Sequence, residues 1–210
     1  KTLYLCLNGY SITRTTDSTD AFDAVIRVYG DAQLVLCDCK GSGTITHSAG
    51  VYGRGVRLGD SSSTGDFIMY GGEISGNSID ISAHSAAAGD GAGVEAQQSD
   101  FTMYGGKITN NHVIKGSNNE GGGVNMHTGG GVISAGTYLK LYGGTISNNT
   151  ADKRGGGVFT NMTLTISDGI TITGNKSEQG GGIYTYDEDI TINGGNITGN
   201  TATYGGGVYH

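Results

Sequence analysis

Two sets of aromatic residues recur at fixed places along the chain. Phe159, Tyr184 and Tyr209 each follow an aliphatic residue, Val158, Ile183 and Val208, and Tyr70, Tyr104 and Tyr142 each stand directly before a glycine pair. In an extended chain successive side chains point to opposite faces. If Val158, Ile183 and Val208 face a core, and Met69, Met103 and Leu141 do the same in the second set, all six rings point outward in two columns. Such columns offer flat apolar surface with polar tips, suited to sugar rings or to a protein partner. Their competing role is structural, ring stacked on ring to hold a sheet together. These six are the candidate binding residues.

Three cysteines, Cys6, Cys37 and Cys39, sit in "LYLCLNG" and "LVLCDCKG". Alternation puts Cys6 and Cys37 on the same outward face. A disulfide from Cys6 to Cys37 or to Cys39 is geometrically allowed and would suit an exported protein; free thiols fit equally well. His47, His84, His112, His127 and His210 show no ligand spacing to the cysteines or to one another, so no metal site is expected. One grouping looks enzyme-like: Arg27 and Arg57 at equivalent places in neighbouring repeats, with Asp17, Asp20 and Asp23 just before Arg27. A solvated loop beside two surface arginines accounts for it as well. The "YDED" run at 186–189 also pairs carboxylates, but at a turn. No cofactor is expected.

The elements that must carry these residues are repeats. "ISNNTADKRGGGV" from Ile146 returns, shortened, as "ITGNKSEQGGGI" from Ile172 and "ITGNTATYGGGV" from Ile197. One series of anchors runs Ile12, Ile45, Ile74, Ile108, Ile146, Ile172 and Ile197; a second runs Ile26, Val56, Val94, Val124, Val158, Ile183 and Val208. The two interleave without a miss. Before most first-series anchors lies an alternating stretch such as "FIMYGG", "FTMYGG" or "LKLYGG". Each period therefore holds three short strand-type segments punctuated by Gly or Asn, and no stretch keeps a helical period free of glycine. The expected fold is all-β: a right-handed parallel β-helix, or β-solenoid, with three strands per coil and about seven coils, forming one domain over 1–210.

Composition agrees. The 210 residues include 41 Gly and no Pro or Trp. Sharp turns need glycine at positive φ, and stacked strands need every N–H, which proline lacks. Asn77, Asn111, Asn149, Asn175 and Asn200 recur three residues after an Ile anchor, and are expected to stack as a structural ladder satisfying backbone groups at one corner. With 12 basic against 19 acidic residues and a net charge of −7, no nucleic-acid partner is expected, because such binding needs a cationic face. No apolar run approaches the roughly 20 residues that span a bilayer, so no membrane insertion of this segment is expected.

An aliphatic residue three before an Asn, followed by "GGGV" or "GGGI", resembles the repeats of chlamydial polymorphic membrane proteins and of many bacterial right-handed β-helix surface proteins. Those pair an FxxN signature with GGA and an aliphatic. Here Ile replaces Phe in "ISGN", "ITNN", "ISNN" and "ITGN", and a third Gly replaces Ala. The match is close from Phe67 to His210 and looser before it. The resemblance implies surface display and adhesion to cells or glycans. The expected function is thus an adhesin-like binding or display module, extracellular, at the cell surface or secreted, recognising a glycan or a host or partner protein. The chain is expected to be a segment of a longer surface protein.

Two alternatives stand beside that reading. Polysaccharide lyases and glycoside hydrolases also use β-helices, with a cationic base or a carboxylate pair across one sheet. A hydroxyl column, Thr13, Thr46, Ser75, Thr109, Ser147, Thr173 and Thr198, resembles the flat faces of ice-binding solenoids. Glu73, Lys107 and Asn196 interrupt its neighbouring Thr file, which favours ordinary β-propensity and a structural spacer.

Overall fold

A computed structural model describes residues 1–17, 23–60, 62–80, 91–114, 121–127, 137–186 and 188–210, without the side chains of 114 and 125–127. Among the described residues the chain is all-β, with no helix, and every strand pair is parallel. The largest sheet has 12 strands and is curled like half a barrel. One of its rows runs through Thr2–Cys6, Ala32–Cys37, Gly65–Met69 and Phe101–Met103, and the other through Ile12–Arg14, Thr44–His47, Glu73–Ser75 and Lys107–Thr109. Two long strands, Tyr138–Ser147 and Thr163–Thr173, belong to both rows and join them.

A second sheet of 7 strands contains Ala24–Val28, Arg54–Leu58, Val94–Gln97, Val124–His127, Val158–Thr160, Ile183–Thr185 and Val208–Tyr209. A third, of 3 short strands, stacks Ser78–Asp80, His112–Ile114 and Thr150–Ala151.

Both anchor series are in register. Ile12 pairs with Ile45, and the line continues through Ile74, Ile108, Ile146 and Ile172 to Ile197. Ile26 likewise leads through Val56, Val94, Val124, Val158 and Ile183 to Val208. The central members of both lines are fully buried in one hydrophobic cluster, joined from the other row of the large sheet by Leu34, Phe67, Phe101, Leu139 and Leu164. Each such side chain contributes about 1.5–3 kcal/mol by leaving water. Phe67 and Phe101 stack inside, centroids 4.9 Å apart.

The asparagine ladder holds one corner. The side-chain oxygen of Asn111 accepts from both the backbone N–H and the side-chain amide of Asn77, and the same two bonds link Asn111 to Asn149, Asn149 to Asn175 and Asn175 to Asn200. Each amide also donates to the carbonyl of an Ile anchor one repeat back, as from Asn149 to Ile108 at 2.9 Å. The left-handed backbone lies one residue before the ladder, at Gly76, Asn110, Asn148, Gly174 and Gly199, with φ between 54° and 67°. Only Gly and Asn adopt that region at little cost, which explains why "GN" and "NN" interchange there.

The glycine triplets stack backbone on backbone: Gly156 N donates to Gly180 O and Gly157 N to Gly181 O, at 3.2 and 3.1 Å. The first Gly of a triplet carries the positive φ, 60° at Gly155, while Gly156 is ordinary in φ. Gly156 is nonetheless closed to a side chain, because a Cβ there would stand 2.4 Å from the Lys176 carbonyl oxygen. Gly156→Val is therefore expected to destabilise by about 3 kcal/mol or more through overpacking against rigid backbone. Lys153→Val, which removes only an exposed ion pair with Glu178, should cost less than about 1 kcal/mol. Thermal melts of the two variants check this; equal midpoints would show that the triplets do not pack as described.

Candidate functional site

Among the described residues, polar or aromatic side chains gather in rows that cross the strands. The first row lies on the 12-stranded sheet. Tyr70 follows Met69, which pairs with Leu36; Tyr104 follows Met103 and Tyr142 follows Leu141 in the same register. The three rings stack, with centroids 5.0 and 5.2 Å apart and planes within 18° of parallel. They are 55, 48 and 38% exposed. Stacking covers the inner ring faces, so the column presents ring edges and a file of hydroxyls about one strand spacing apart. Beside it Tyr138 is also exposed and carries the Lys140 ammonium over its ring at 4.8 Å.

The second aromatic column is corrected by the structure. Phe159, Tyr184 and Tyr209 do stack, at 5.5 and 5.2 Å. Phe159 and Tyr184, however, are 5 and 6% exposed, and only Tyr209 is half-buried. The strands Val158–Thr160 and Ile183–Thr185 are buried at every position, so both faces are covered at these two strands, and the Arg154 guanidinium lies over the Tyr184 ring at 5.4 Å. Phe159 and Tyr184 form no open surface.

The same row continues toward the chain's first repeats through Asn125, Glu95, Arg57 and Arg27. Glu95 is buried between Arg57, at 2.6 Å, and Arg54, with which it also forms an ion pair. Arg57 reaches Gln97 as well, at 3.4 Å. Arg27 is exposed over Tyr29. Asp23 pairs with Arg14, and Asp17 accepts from the Tyr52 N–H at 3.2 Å; Asp20 lies outside the described residues. Of the grouping that looks enzyme-like, Arg57 and Asp23 are drawn into ion pairs and Asp17 into a backbone bond. Such pairs offset the desolvation of buried charge. Of the "YDED" run, Asp187 also lies outside the described residues.

The third place is the cysteine group. Cys6 and Cys37 are register partners on adjacent strands, and Cys39, two residues on, returns to the same side. Cys6 Sγ stands 3.0 Å from Cys39 Sγ, and all three sulfurs lie within 4.8 Å of one another. The thiols are free; of the two pairings left open, the close contact is Cys6 with Cys39. Hydrogen bonding from Cys39 lowers the Cys6 thiol to about 7, while a hydrogen bond to Cys6, followed by burial, pushes Cys37 up to about 11, and the hydrogen bond to Cys6 raises Cys39 as well. Spacing to histidine gave no hint of this cluster. The signal was the strand register, which pairs residues 31 apart (37 minus 6).

The hydroxyl column is assembled too. Thr13 pairs with Thr46, Ser75 with Thr109, and Thr109 through Ser147 and Thr173 to Thr198. Its centre is occupied: Thr109 is buried and bonds Ser147 at 3.1 Å. His84 and the side chain of His127 lie outside the described residues. The chain matches no protein-family model, and neither curated proteins nor solved structures give a match.

One residue that the repeat pattern did not single out closes the ladder. His47 is buried, and its Nδ1 lies 2.8 Å from Asn77 Oδ1. The Asn77 amide nitrogen already donates elsewhere, so the oxygen accepts and Nδ1 carries the proton. The unprotonated Nε2 faces Gly53, where a Cβ would stand 2.7 Å away, and has no hydrogen-bond partner among the described residues. Burial holds the imidazole below the ordinary histidine range; the Asn77 bond, Asp23 and Asp17 oppose that, and Arg14 adds to it.

The folded value lies below the unfolded one of about 6.5, so the unfolded chain takes up the proton first. Stability from this group is present above pH 6.5 or so and is lost as pH falls below it. His112, half-buried, acts in the same direction. Melting temperature is therefore expected to fall from pH 7 to pH 5, and to fall less in His47→Asn, which keeps a donor near Nδ1 without the titration. A slope unchanged in that variant would remove His47 from this role.

Proposed function

We propose that the protein is an extracellular, adhesin-like binding or display module, built as a right-handed parallel β-helix of three strands per coil and about seven coils. It would belong with bacterial β-helix surface proteins whose repeats are similar to those of chlamydial polymorphic membrane proteins. The observation that carries the reading is the exposed stack of Tyr70, Tyr104 and Tyr142. Exposed rings in a regular file leave apolar area in water that a partner would cover. Ring edges and hydroxyls at strand spacing suit a polar, extended partner, such as a glycan chain or a segment of a host or partner protein. Against a carbohydrate-cleaving enzyme stands the engagement of Arg57, Glu95 and Asp23 in ion pairs.

The test begins with glycan and host-protein arrays, followed by affinity measurement on the ligand found. Tyr104→Ala is expected to weaken binding by about 2 kcal/mol, or about thirtyfold, as for a central interface aromatic, with the melting temperature within a few degrees. Tyr104→Phe keeps the stack and removes one hydroxyl, and should weaken binding less. Affinity unchanged in Tyr104→Ala, or lost only together with the fold, would refute the tyrosine face as the binding surface.

A further inference from the structure

The thiol cluster is independent of the tyrosine face and points to a second kind of ligand. Three features of it are built rather than incidental. Parallel register fixes Cys6 beside Cys37, because the strands Thr2–Cys6 and Ala32–Cys37 pair along their full shared length. Alternation in "CDC" brings Cys39 back to the same side, while the intervening Asp38 turns to the backbone. Its carboxylate accepts from Gly9 N and Gly43 N, each at 2.6 Å, and from Lys40 N at 3.3 Å. Those bonds hold the carboxyl below its usual range, led by the one from Gly43, and pin the turn that carries Cys39. Asp38 is thereby spent on backbone groups. The sulfurs of Cys6, Cys37 and Cys39 are the ligand atoms.

We propose that Cys6, Cys37 and Cys39 bind one thiophilic d10 cation, monovalent copper or divalent zinc. All three sulfurs lie within 4.8 Å of one another. Three thiolates around an ion at about 2.3 Å stand about 4 Å apart, so the Cys6–Cys39 pair, now at 3.0 Å, opens by about an ångström on binding. Cys6 and Cys39 are exposed, which leaves them room to move and gives the ion an entry path. Soft thiolate sets select such ions over calcium or magnesium. The ion displaces the thiol protons, up to three, to solvent; three bonds from sulfur to hydrogen are exchanged for three from sulfur to metal, with no electron transferred. The outward position stays open, to water or to a group from another molecule.

A disulfide between Cys6 and Cys39 is the competing state. It would shorten their separation to about 2.05 Å and remove two ligands. The experiment therefore uses the full chain, reduced and kept anaerobic, in three steps. Thiol counting comes first, with three per chain expected. Zinc is then titrated against a chromophoric chelator, and monovalent copper against a copper-selective one, with metal per chain counted after desalting.

One equivalent of one ion, with affinity down at least a hundredfold in Cys37→Ser and in Cys39→Ser at unchanged circular dichroism, is the expected result. The arm that saturates names the ion. Fewer than three thiols under full reduction, no uptake in either arm, or uptake that survives Cys37→Ser with Cys39→Ser together, would each overturn the site.

Discussion

Among the described residues each strand is hydrogen-bonded, in parallel, to the equivalent strand of a neighbouring repeat. Parallel pairing makes the backbone of one repeat the template for the next. It requires an N–H at each paired position and a turn of the same shape at each corner. The total lack of proline and the abundance of glycine are consequences. So is the ladder at Asn77, Asn111, Asn149, Asn175 and Asn200, where each amide serves a carbonyl behind it and, as far as Asn175, an asparagine beyond it. A buried amide left without such partners would cost about 1–3 kcal/mol. The corner is therefore one cooperative structure, and His47 serves it as a terminal cap.

The same constraint decides what surface chemistry the fold can offer. A residue at a fixed place in the repeat meets its own equivalents one strand spacing away. Rings tolerate this well, because offset parallel stacking is attractive, and three such runs occur among the described residues: Phe67 with Phe101 inside, and the tyrosine and Phe159–Tyr184–Tyr209 columns. Like charges tolerate it poorly. Arg57 stands beside Arg27 in register, and on its other side the row supplies Glu95, which pairs with both Arg54 and Arg57. Thiols occupy a middle case: neutral, three can sit together, and charged, they need a cation.

What the sequence made legible follows from this geometry. The two anchor lines could be read by eye because Ile and Val recur at positions that permit nothing else, and the structure pairs them one to one. The asparagines were legible for the same reason. The residue types that turn at positive φ are legible, but not which member of a triplet does so, since Gly155 and Gly156 read alike and only three-dimensional packing separates a left-handed backbone from a position with no room for Cβ. Exposure was the real blind spot. Alternation tells which side of a strand a residue occupies, not whether that side is open, and it scored Tyr184 and Tyr104 alike. Tyr104 is 48% exposed and Tyr184 6%. Covering of an outer face is a long-range property with no period of its own.

Departures from the repeat are where distinct chemistry enters, and one row of the large sheet shows it. Cys6 and Cys37 hold the place that Tyr70, Tyr104 and Tyr142 hold in the following repeats, since Cys37 follows Leu36 as Tyr70 follows its partner Met69. The template that demands an equivalent backbone leaves the outward side chain at this place free to change, because nothing in the core depends on it. One stretch of outer face thus passes from sulfur to stacked phenol without any change in the strands beneath. A repeat sequence of this kind yields its architecture through the positions that stay the same, and its chemistry through the outward positions that differ between one repeat and the next.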